Sequence, residues 1–372
     1  MSRFGIYFHW PFCRSKCPYC DFVSIIGKNI DFQAWRDAYL SVLESYALRT
    51  ADKKVSSVFF GGGTPSLMPA EIVSEIISAV RRLWDTDENA EISLEANPGT
   101  LNHQKMSDFR KAGVNRLSLG IQSLNDNDLK FLGRLHNAET ALNALQSAKN
   151  IFPEVSADFI YALPHQTFKD WETQLQRILD LNLSHLSLYQ LTVEEGTFFY
   201  KKGIEPPEEN LCADMFELTD KMTYLAGIER YEVSNHARKG HECRHNLLYW
   251  QGGEWLGIGP AAHGRFFENG RYLATVGEND PKRWLCTRKI AEDSLTLKET
   301  AQELILMALR TREGLLRERF KDMTSFEPEN FLYEDTLLDY QTDGLIIADK
   351  KGLRATAKGL LILNSLCSTL LK

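Results

Sequence analysis

The chain lacks several features that would assign it to a class at once. Its 372 residues contain no apolar run long enough to span a bilayer, no secretory leader pattern, no low-complexity tract and no fixed-period repeat. Basic residues are not in excess either, because 43 Lys and Arg stand against 50 Asp and Glu. The formal charge of −7 argues against a nucleic-acid binder. Together these absences predict a globular cytoplasmic protein of more than one domain.

Cysteine is scarce and unevenly placed. Of seven cysteines, three fall in the stretch CRSKCPYC, residues 13–20. An odd number crowded in this way argues against a secreted disulfide framework and favours a metal or redox role in a reducing compartment. We expect the isolated Cys212, Cys286 and Cys367 to be buried as small hydrophobic residues.

Three kinds of site are compatible with Cys13, Cys17 and Cys20. The segment CPYC alone is a dithiol box of the glutaredoxin type, but that explains neither Cys13 nor the length of the chain. A structural zinc site takes four tetrahedral ligands, and no second CxxC pair with suitable spacing follows. An iron–sulfur cluster held by three thiolates leaves one iron open to another ligand. The residues favour the cluster, with zinc and a dithiol as the alternatives.

Apolar runs alternate with amphipathic stretches in the first half of the chain. Six runs rich in Val, Ile, Leu, Phe or Tyr predict strands and the intervals predict helices, at residues 4–10, 55–62, 90–97, 114–121, 154–163 and 183–191. Strands this apolar are buried on both faces, as in parallel sheets. Six βα units are fewer than the eight of a closed barrel, so we expect an α/β fold built on a partial (β/α)6 TIM-like barrel.

The pattern changes after residue 200. A loop at 201–210 and a helix at 212–227 lead into a span, 228–300, that mixes glycine, aromatic residues and short strands. From Lys298 on, helices, a hairpin-like segment at 344–357 and a final apolar helix predict a winged-helix-like module. Residues 299–372 contain ten Lys and Arg against twelve Asp and Glu, so we interpret it as a packing or partner module and not a DNA reader. The predicted domains are 1–205, 206–297 and 298–372.

Unusual polar residues and glycines follow the predicted strands. The cysteines come after the first strand, GGGTP (61–65) ends the second, Glu95 and Asn97 end the third, Gln122 ends the fourth, and Asp158 lies in the fifth. Because the carboxyl ends of parallel strands meet at one rim, we expect one site there. Glycines at that rim would allow close approach of a ligand and expose N–H groups to a carboxylate or phosphate. The Lys-Ser/Thr ending of a P-loop is absent.

These motifs resemble the radical S-adenosylmethionine superfamily. The resemblance rests on CxxxCxxC after a first strand, with an aromatic residue before the last cysteine, and on GGGTP ending the second strand. The segments IYFHWPFCRSKCPYCDF, LEANPGT, NRLSLGIQS, LGRLH, DFIYALPHQT and LYQLTVEEGT are similar to the branch of oxygen-independent coproporphyrinogen III oxidases and heme chaperones. The resemblance implies a 4Fe-4S cluster on Cys13, Cys17 and Cys20, with S-adenosylmethionine on the open iron. It further implies cofactor contacts from Tyr7, Tyr19, Gly62, Gly63, Thr64, Glu95, Gln122, Arg134 and Asp158.

Two departures from the oxidases favour the chaperones within this branch. The oxidases carry a further cysteine two residues after the third ligand, where this chain has Phe22, and they have a longer N-terminal extension. The segment HNLLYW, residues 245–250, resembles the heme-binding motif HNxxYW of the chaperones and implies that His245 is an axial heme ligand. Read without the family, it is a His-Asn turn before two core aromatics. Competing ligands in the neighbourhood are His236, His241, Cys243 and His263.

We therefore expect a heme chaperone that binds a 4Fe-4S cluster, S-adenosylmethionine and heme, and passes heme to an acceptor protein. An electron donor to the cluster is implied, whereas nucleic acid and a transmembrane segment are not. The first alternative is an oxygen-independent coproporphyrinogen III oxidase, a radical enzyme of porphyrin biosynthesis. The second is a dithiol oxidoreductase, for which Cys13 would be dispensable.

Overall fold

The computed structural model describes residues 4–372, so the first three residues of the predicted domain 1–205 lie outside the described part. Within this range the strands are β1 (Phe4–Trp10), β2 (Phe12–Cys13), β3 (Ile25–Ile26), β4 (Lys54–Gly62), β5 (Asp85–Ala96), β6 (Arg116–Gln122), β7 (Glu154–Tyr161), β8 (His185–Gln190), β9 (Glu229–Arg230), β10 (Asn235–Ala237), β11 (Glu254–Ile258), β12 (His263–Glu268), β13 (Arg271–Gly277), β14 (Ile290–Ser294), β15 (Leu315–Leu316), β16 (Ile346–Ala348) and β17 (Gly352–Ala355).

The helices of the same range are α1 (Phe32–Thr50), α2 (Ala70–Leu83), α3 (His103–Ala112), α4 (Asp126–Phe131), α5 (Ala138–Ile151), α6 (Phe168–Leu179), α7 (Phe198–Lys201), α8 (Glu209–Leu225), α9 (Arg244–Trp250), α10 (Pro281–Thr287), α11 (Leu297–Ala308), α12 (Arg317–Thr324), α13 (Glu334–Thr342), α14 (Ala357–Leu361) and α15 (Leu363–Leu370). Short 3-10 turns lie at Pro65–Leu67, Pro98–Thr100 and Pro328–Phe331.

One sheet of twelve strands forms the main body, in the order β14-β13-β12-β11-β1-β4-β5-β6-β7-β8-β10-β9. The strands from β11 to β8 in that order run parallel, and antiparallel strands continue the sheet at both edges. The six predicted apolar runs are β1, β4, β5, β6, β7 and β8, so the partial barrel is confirmed. A seventh parallel strand, β11, was not predicted as part of this sheet, because it lies in the span 228–300, whose mixed composition shows no such pattern.

Alternation along the strands divides the barrel wall into two faces. On β1, Phe4, Ile6 and Phe8 are almost fully buried in the main core, which they share with helix α1. Each such side chain stabilises the fold by roughly 1.5–3 kcal/mol. The inner face is smaller and more polar, with a buried or half-buried serine on each of five consecutive strands, namely Ser57, Ser93, Ser118, Ser156 and Ser187. Bulky side chains normally fill a barrel interior, so these small ones leave room for other groups.

The C-terminal part forms a second unit with its own core. Its order is helix, strand, helix, helix and hairpin, in which β15, β17 and β16 make an antiparallel sheet. This is the winged-helix order predicted, and buried side chains such as Ile305, Phe320 and Leu366 form its core. The last predicted helix is divided into α14 and α15 at Ile362.

The burial predicted for the three isolated cysteines is observed for two of them. Cys212 and Cys367 are buried as predicted, but Cys286 is exposed, so that prediction was wrong for one of the three cysteines. Cys286 lies in the last turn of the short helix α10, where its neighbours on the inner side of that helix, such as Trp284, take the core positions. Across residues 4–372, every helix is too short or too polar to cross a membrane.

Candidate functional site

A cavity of about 380 Å³ opens at the carboxyl ends of the parallel strands. Eleven of the thirteen predicted site residues line it: Cys13, Cys17, Tyr19, Cys20, Gly62, Gly63, Thr64, Glu95, Gln122, Arg134 and Asp158. Tyr7 and His245 are the two that do not. The expected convergence of strand-end residues on one rim is therefore present in the structure.

The cysteine loop runs between the short strands β2 and β3. Its three thiols are free and half-buried. Thr64 Oγ1 donates to Cys13 Sγ at 3.4 Å, and burial raises the pKa of the thiols of Cys13 and Cys20. Among residues 4–372, no three His, Cys, Asp or Glu side chains converge on one point as a single metal ion would require. Three thiols on one loop are the donor set that an iron–sulfur cluster takes, whereas a structural zinc site takes four ligands.

The glycines of GGGTP allow the chain to pass close to the cysteine loop. A Cβ on Gly63 would lie 2.9 Å from the carbonyl oxygens of Trp10 and Phe12 and 3.1 Å from Cys13 Sγ. Gly62 has φ +105°, a conformation that side chains rarely adopt. Only glycine therefore fits these two positions.

The N–H groups of this turn correct one expectation. Gly62 N–H donates to Glu95 Oε2 at 3.2 Å, Gly63 N–H to the Trp10 carbonyl at 2.7 Å, and Thr64 N–H to the Phe12 carbonyl at 2.9 Å. The predicted set of exposed N–H groups is thus wrong, because the Glu95 carboxyl group and the carbonyls of Trp10 and Phe12 already accept from them. What the turn can offer a ligand is close approach and the Thr64 hydroxyl.

Two half-buried carboxyl groups, those of Glu95 and Asp158, stand on the cavity wall. Burial, and then the neighbouring Asp158, raise the pKa of Glu95 to about 8, against which the Gly62 N–H acts. Burial likewise raises the pKa of Asp158 to about 6, although the Ser187 and Ser118 hydroxyls oppose it, the latter donating at 2.9 Å. A cationic ligand would favour the ionised form of both groups. The wall therefore suits a ligand with a positive centre and hydroxyl groups.

Arg134 connects the cavity to the cysteine loop. Its Nη2 donates to the Gly120 carbonyl at 2.8 Å, and Nη1 lies 3.3 Å from the Tyr19 hydroxyl and 3.4 Å from Cys17 Sγ. The guanidinium is buried, and it places a positive charge beside a thiol that would be a thiolate on binding iron. Gln122 ends β6 with φ +73°, so a non-glycine residue is held in a strained conformation at the cavity.

Tyr7 and His245 lie deeper on the inner face of the sheet. The Tyr7 hydroxyl is 3.1 Å from His9 Nδ1, away from the cavity lining. His245 is fully buried; its Nδ1 is 2.8 Å from Ser57 Oγ and its Nε2 is 2.6 Å from the Tyr249 hydroxyl. Burial lowers the pKa of His245 to about 3, so the ring is neutral. In this conformation both ring nitrogens are engaged.

The helix that carries His245 is held to the barrel at its N-terminus. Glu91 accepts the N–H groups of Arg244 and His245 at 3.1 Å each, which satisfies two of the free donors that begin a helix. Arg116 lies 3.6 Å from Glu91 and balances the buried charge. Ser57, beside His245, is five residues before Gly62 on β4, roughly 16 Å along the strand at about 3.3 Å per residue. The HNLLYW segment and the cysteine cavity are therefore separate places on one barrel.

The competing ligands differ in availability. Cys243 is buried and its Sγ lies 3.3 Å from Glu91, while His241 contacts Glu154 at 2.9 Å. His263 is exposed. His236 is buried, and both its ring nitrogens lack a hydrogen-bond partner.

Sequence reasoning missed the contribution of the sixth predicted strand to the cavity. Tyr189 and Gln190, at the end of β8, and Thr192 beyond it also line the cavity. The strand-end rule that identified Gln122 applies equally to Gln190, so the signal was present in LYQLT.

Two family models match this chain, one in the barrel and one in the C-terminal unit. Residues 7–178 match the Radical SAM superfamily model, and residues 295–362 match the model of the HemN C-terminal domain. The Bos taurus protein named Radical S-adenosyl methionine domain-containing protein 1, mitochondrial, is 36% identical over 100% of this chain and 88% of its own length. The heme chaperone HemW of Buchnera aphidicola subsp. Acyrthosiphon pisum is 32% identical over 99% of this chain and 98% of its own. The solved structure of coproporphyrinogen III oxidase (HemN) from Escherichia coli has a TM-score of 0.79 at 23% identity, covering 99% of this chain and 90% of that one.

Proposed function

The chain belongs to the radical SAM superfamily, with relatives that include the heme chaperone HemW, and on that basis we propose that it is a heme chaperone. It would bind a 4Fe-4S cluster, S-adenosylmethionine and heme, and pass the heme to an acceptor protein. The observation that carries this proposal is similarity along nearly the whole chain to proteins named heme chaperones.

The cysteine cavity is where the proposal puts the cluster and S-adenosylmethionine. Cys13, Cys17 and Cys20 would hold the cluster, and Arg134 would offset its negative charge. Glu95 and Asp158 would face the positive centre or the ribose hydroxyls of S-adenosylmethionine, beside Thr64, Gln122 and Tyr19. When bound, the reduced cluster supplies one-electron chemistry to the sulfonium. The chain's own part is to orient the ligand and limit water in the cavity.

The heme site is proposed at α9, with His245 as the iron ligand. Imidazole is a common axial ligand of heme, and burial keeps this ring neutral, which is the form that binds metal. Both ring nitrogens are hydrogen-bonded in the present conformation, so one of these bonds would have to break before iron could bind. Tyr249 and Trp250 on the same helix are half-buried and would flank the porphyrin.

The oxidase alternative receives support for its fold alone, through the structural likeness to HemN at 23% identity. Phe22, where the oxidases have a cysteine, is 55% exposed at the cavity. A phenylalanine cannot bind iron or transfer a proton, so this position favours the chaperone. We also propose a reducing compartment, the cytosol as predicted, because three of the seven cysteines crowd into residues 13–20; a relative named mitochondrial makes the mitochondrion the other setting.

The test is a heme titration of anaerobically reconstituted protein, followed by Soret absorbance. A saturable one-to-one band is expected, and it should weaken or shift in His245→Ala but remain in His263→Ala, which removes an exposed histidine nearby in the sequence. Absence of a saturable band in the unaltered protein would contradict the chaperone assignment. Coproporphyrinogen decarboxylation would then be the assay to run.

A second measurement separates the cluster from a dithiol. Iron and sulfide content should fall in Cys13→Ala and stay unchanged in Cys286→Ala, because Cys286 is exposed and lies outside the cavity lining. Full cluster content in Cys13→Ala would revive the dithiol alternative.

A further inference from the structure

The cysteine loop is held to the rest of the protein along its length. At its start, Cys13 belongs to β2, which pairs with β3. In its middle, the Pro18 carbonyl accepts the N–H of Phe199 at 2.9 Å. Near its end, the Val23 carbonyl accepts a hydrogen bond of 2.8 Å from a side chain, that of His9 on β1. The first two supports join backbone to backbone, whereas the third can be removed by a substitution.

His9 makes this bond through Nε2, and its other ring nitrogen is also engaged. A carbonyl can only accept, so Nε2 carries a proton whatever the charge of the ring. Nδ1 lies 3.1 Å from the Tyr7 hydroxyl. Burial lowers the pKa of His9, so the ring is neutral and the Tyr7 hydroxyl donates to Nδ1. The two bonds form a chain from Tyr7 through His9 to Val23 and fix the rotation of the ring.

His9 is itself held firmly, at the junction of two motifs. It is 6% exposed and pairs with Gly61 in the register of β1 and β4. Its carbonyl accepts from the Tyr39 hydroxyl at 2.7 Å. A Cβ on Gly62 would lie 2.7 Å from Nδ1 and Cε1 of the ring, so the imidazole lies directly on the GGGTP turn. The ring therefore stands between this turn and the cysteine loop.

We propose that His9 is the positioning residue of the cysteine loop, which sets the place of Cys20 relative to the GGGTP turn through its bond to Val23. Val23 is three residues after Cys20, so a shift of its carbonyl moves the last thiol of the loop. His9 is not among the described residues that line the cavity, so it acts through the loop and not on a ligand. A loop ordered in advance binds its cluster without a further loss of chain entropy. This inference rests on the proposed function, specifically on assembly of a cluster by the three cysteines.

Three substitutions of His9 separate the hydrogen bond from the volume of the side chain. His9→Phe keeps an aromatic ring but has no donor, and His9→Asn places its amide nitrogen near the position of Nδ1, too far from Val23. His9→Gln places an amide N–H near the position of Nε2 and should restore the bond. Resistance of the reconstituted cluster to a chelator should therefore fall about ten- to a hundred-fold in His9→Phe and His9→Asn, as for other groups that orient metal ligands. In His9→Gln it should stay close to that of the unaltered protein.

His185→Phe is the matched control. His185 is also buried, at 2% exposed, and its Nε2 also makes a 2.8 Å hydrogen bond, but to the Tyr231 hydroxyl and at the start of β8. This variant should unfold at a lower temperature and keep a cluster that resists the chelator as before. The low-temperature EPR spectrum of the reduced cluster should likewise change in His9→Phe and not in His185→Phe.

A second measurement on the full chain needs no cluster. In the cluster-free protein, the rate at which iodoacetamide alkylates Cys20 should rise about three- to ten-fold in His9→Phe, which is the net value of one hydrogen bond. The exposed Cys286 provides an internal standard in the same molecule. His185→Phe should leave the Cys20 rate unchanged. Thermal melts check that each variant is folded.

The outcomes separate this inference from the function on which it rests. An unchanged Cys20 alkylation rate in His9→Phe would overturn the positioning role, and so would equal loss of cluster in His9→Phe and His185→Phe. If His9→Phe unfolds, Tyr7→Phe decides, because it only frees the ring to rotate: a smaller rise in the Cys20 rate is expected, and no rise would overturn the proposal. Failure of the unaltered protein to assemble a cluster would overturn the proposed function, while the alkylation rates would still decide whether His9 holds the loop.

Discussion

Glutamine in place of Glu95 tests the electrostatics of the cofactor cavity without any cofactor. The pKa of Glu95 is raised from 4.5 to about 8, first by burial and then by Asp158. The folded protein therefore holds a proton that the unfolded chain releases between these pH values. The stabilisation is complete below the unfolded value and is lost as pH rises through the folded one. The free energy of unfolding should accordingly fall as pH rises from about 6 to 8. Asp158, whose pKa is raised to about 6, causes a similar fall at lower pH, so the window above pH 6 reports mainly on Glu95.

The size of the effect follows from the shift. If it were expressed in full, the rise in pKa would correspond to about 4–5 kcal/mol at 1.36 kcal/mol per unit. Glu95 borders a cavity that admits water, so we expect about 2 kcal/mol of pH-dependent stability. For a chain of this length that amounts to roughly 2–3 °C in Tm.

The assay is thermal unfolding of the cluster-free protein by circular dichroism between pH 5.5 and pH 8.5. The Tm of the unaltered protein should drop across this range, whereas Glu95→Gln, which cannot ionise, should give a flatter profile. Glu71→Gln, an exposed carboxylate on α2, serves as the control and should follow the unaltered protein. Parallel profiles for Glu95→Gln and the unaltered protein would refute the view that Glu95 is buried with its proton.

Two further predictions concern close packing and buried charge. Gly63→Ala should abolish cluster assembly, measured as iron and sulfide content, because its Cβ would meet two carbonyl oxygens and Cys13 Sγ. Gly99→Ala is the control, since its Cβ would have no neighbour closer than 3.6 Å, and it should assemble the cluster normally. Equal iron and sulfide content in the two variants would contradict the packing argument. Arg116→Met should lower the free energy of unfolding by about 3–5 kcal/mol in a denaturant titration, because it removes the buried counter-charge of Glu91 and leaves only the partly exposed Arg244, 3.9 Å away. A loss below about 1 kcal/mol would show that Arg244 and the helix N–H donors suffice.

The barrel and its rim could be predicted from sequence because both depend on local patterns. Each of the six apolar runs became a strand with bounds within a few residues, and residues following those runs met at the cavity. The use of the N–H groups at Gly62–Thr64 could not be predicted, because their acceptors are Trp10 on β1, Phe12 on β2 and Glu95 on β5, each more than thirty residues away in the chain. Cys286 was misjudged for a similar reason, since burial in a short helix depends on which side meets the sheet.

The surroundings of His245 are the clearest case of information that is only in the fold. HNLLYW can be read as a motif, but nothing near it in sequence predicts that Ser57 would meet Nδ1 or that Glu91 would receive the start of the helix. Both contacts bridge more than 150 residues. They exist because β11, which follows α9, pairs parallel with β1 and draws the helix onto the inner face of the barrel.

The C-terminal module contacts α9, the helix that carries His245. Arg319 Nη1 donates to the Gln251 carbonyl at 3.2 Å, and a Cβ on Gly252 would lie 2.3 Å from Leu304 Cδ2, so the end of α9 is packed tightly against α11 and α12. The start of α9 is held by Glu91 in the barrel. A helix fixed at both ends holds His245 at a constant position on the inner face of the barrel. Through these contacts the winged-helix-like module packs directly on the helix that carries His245.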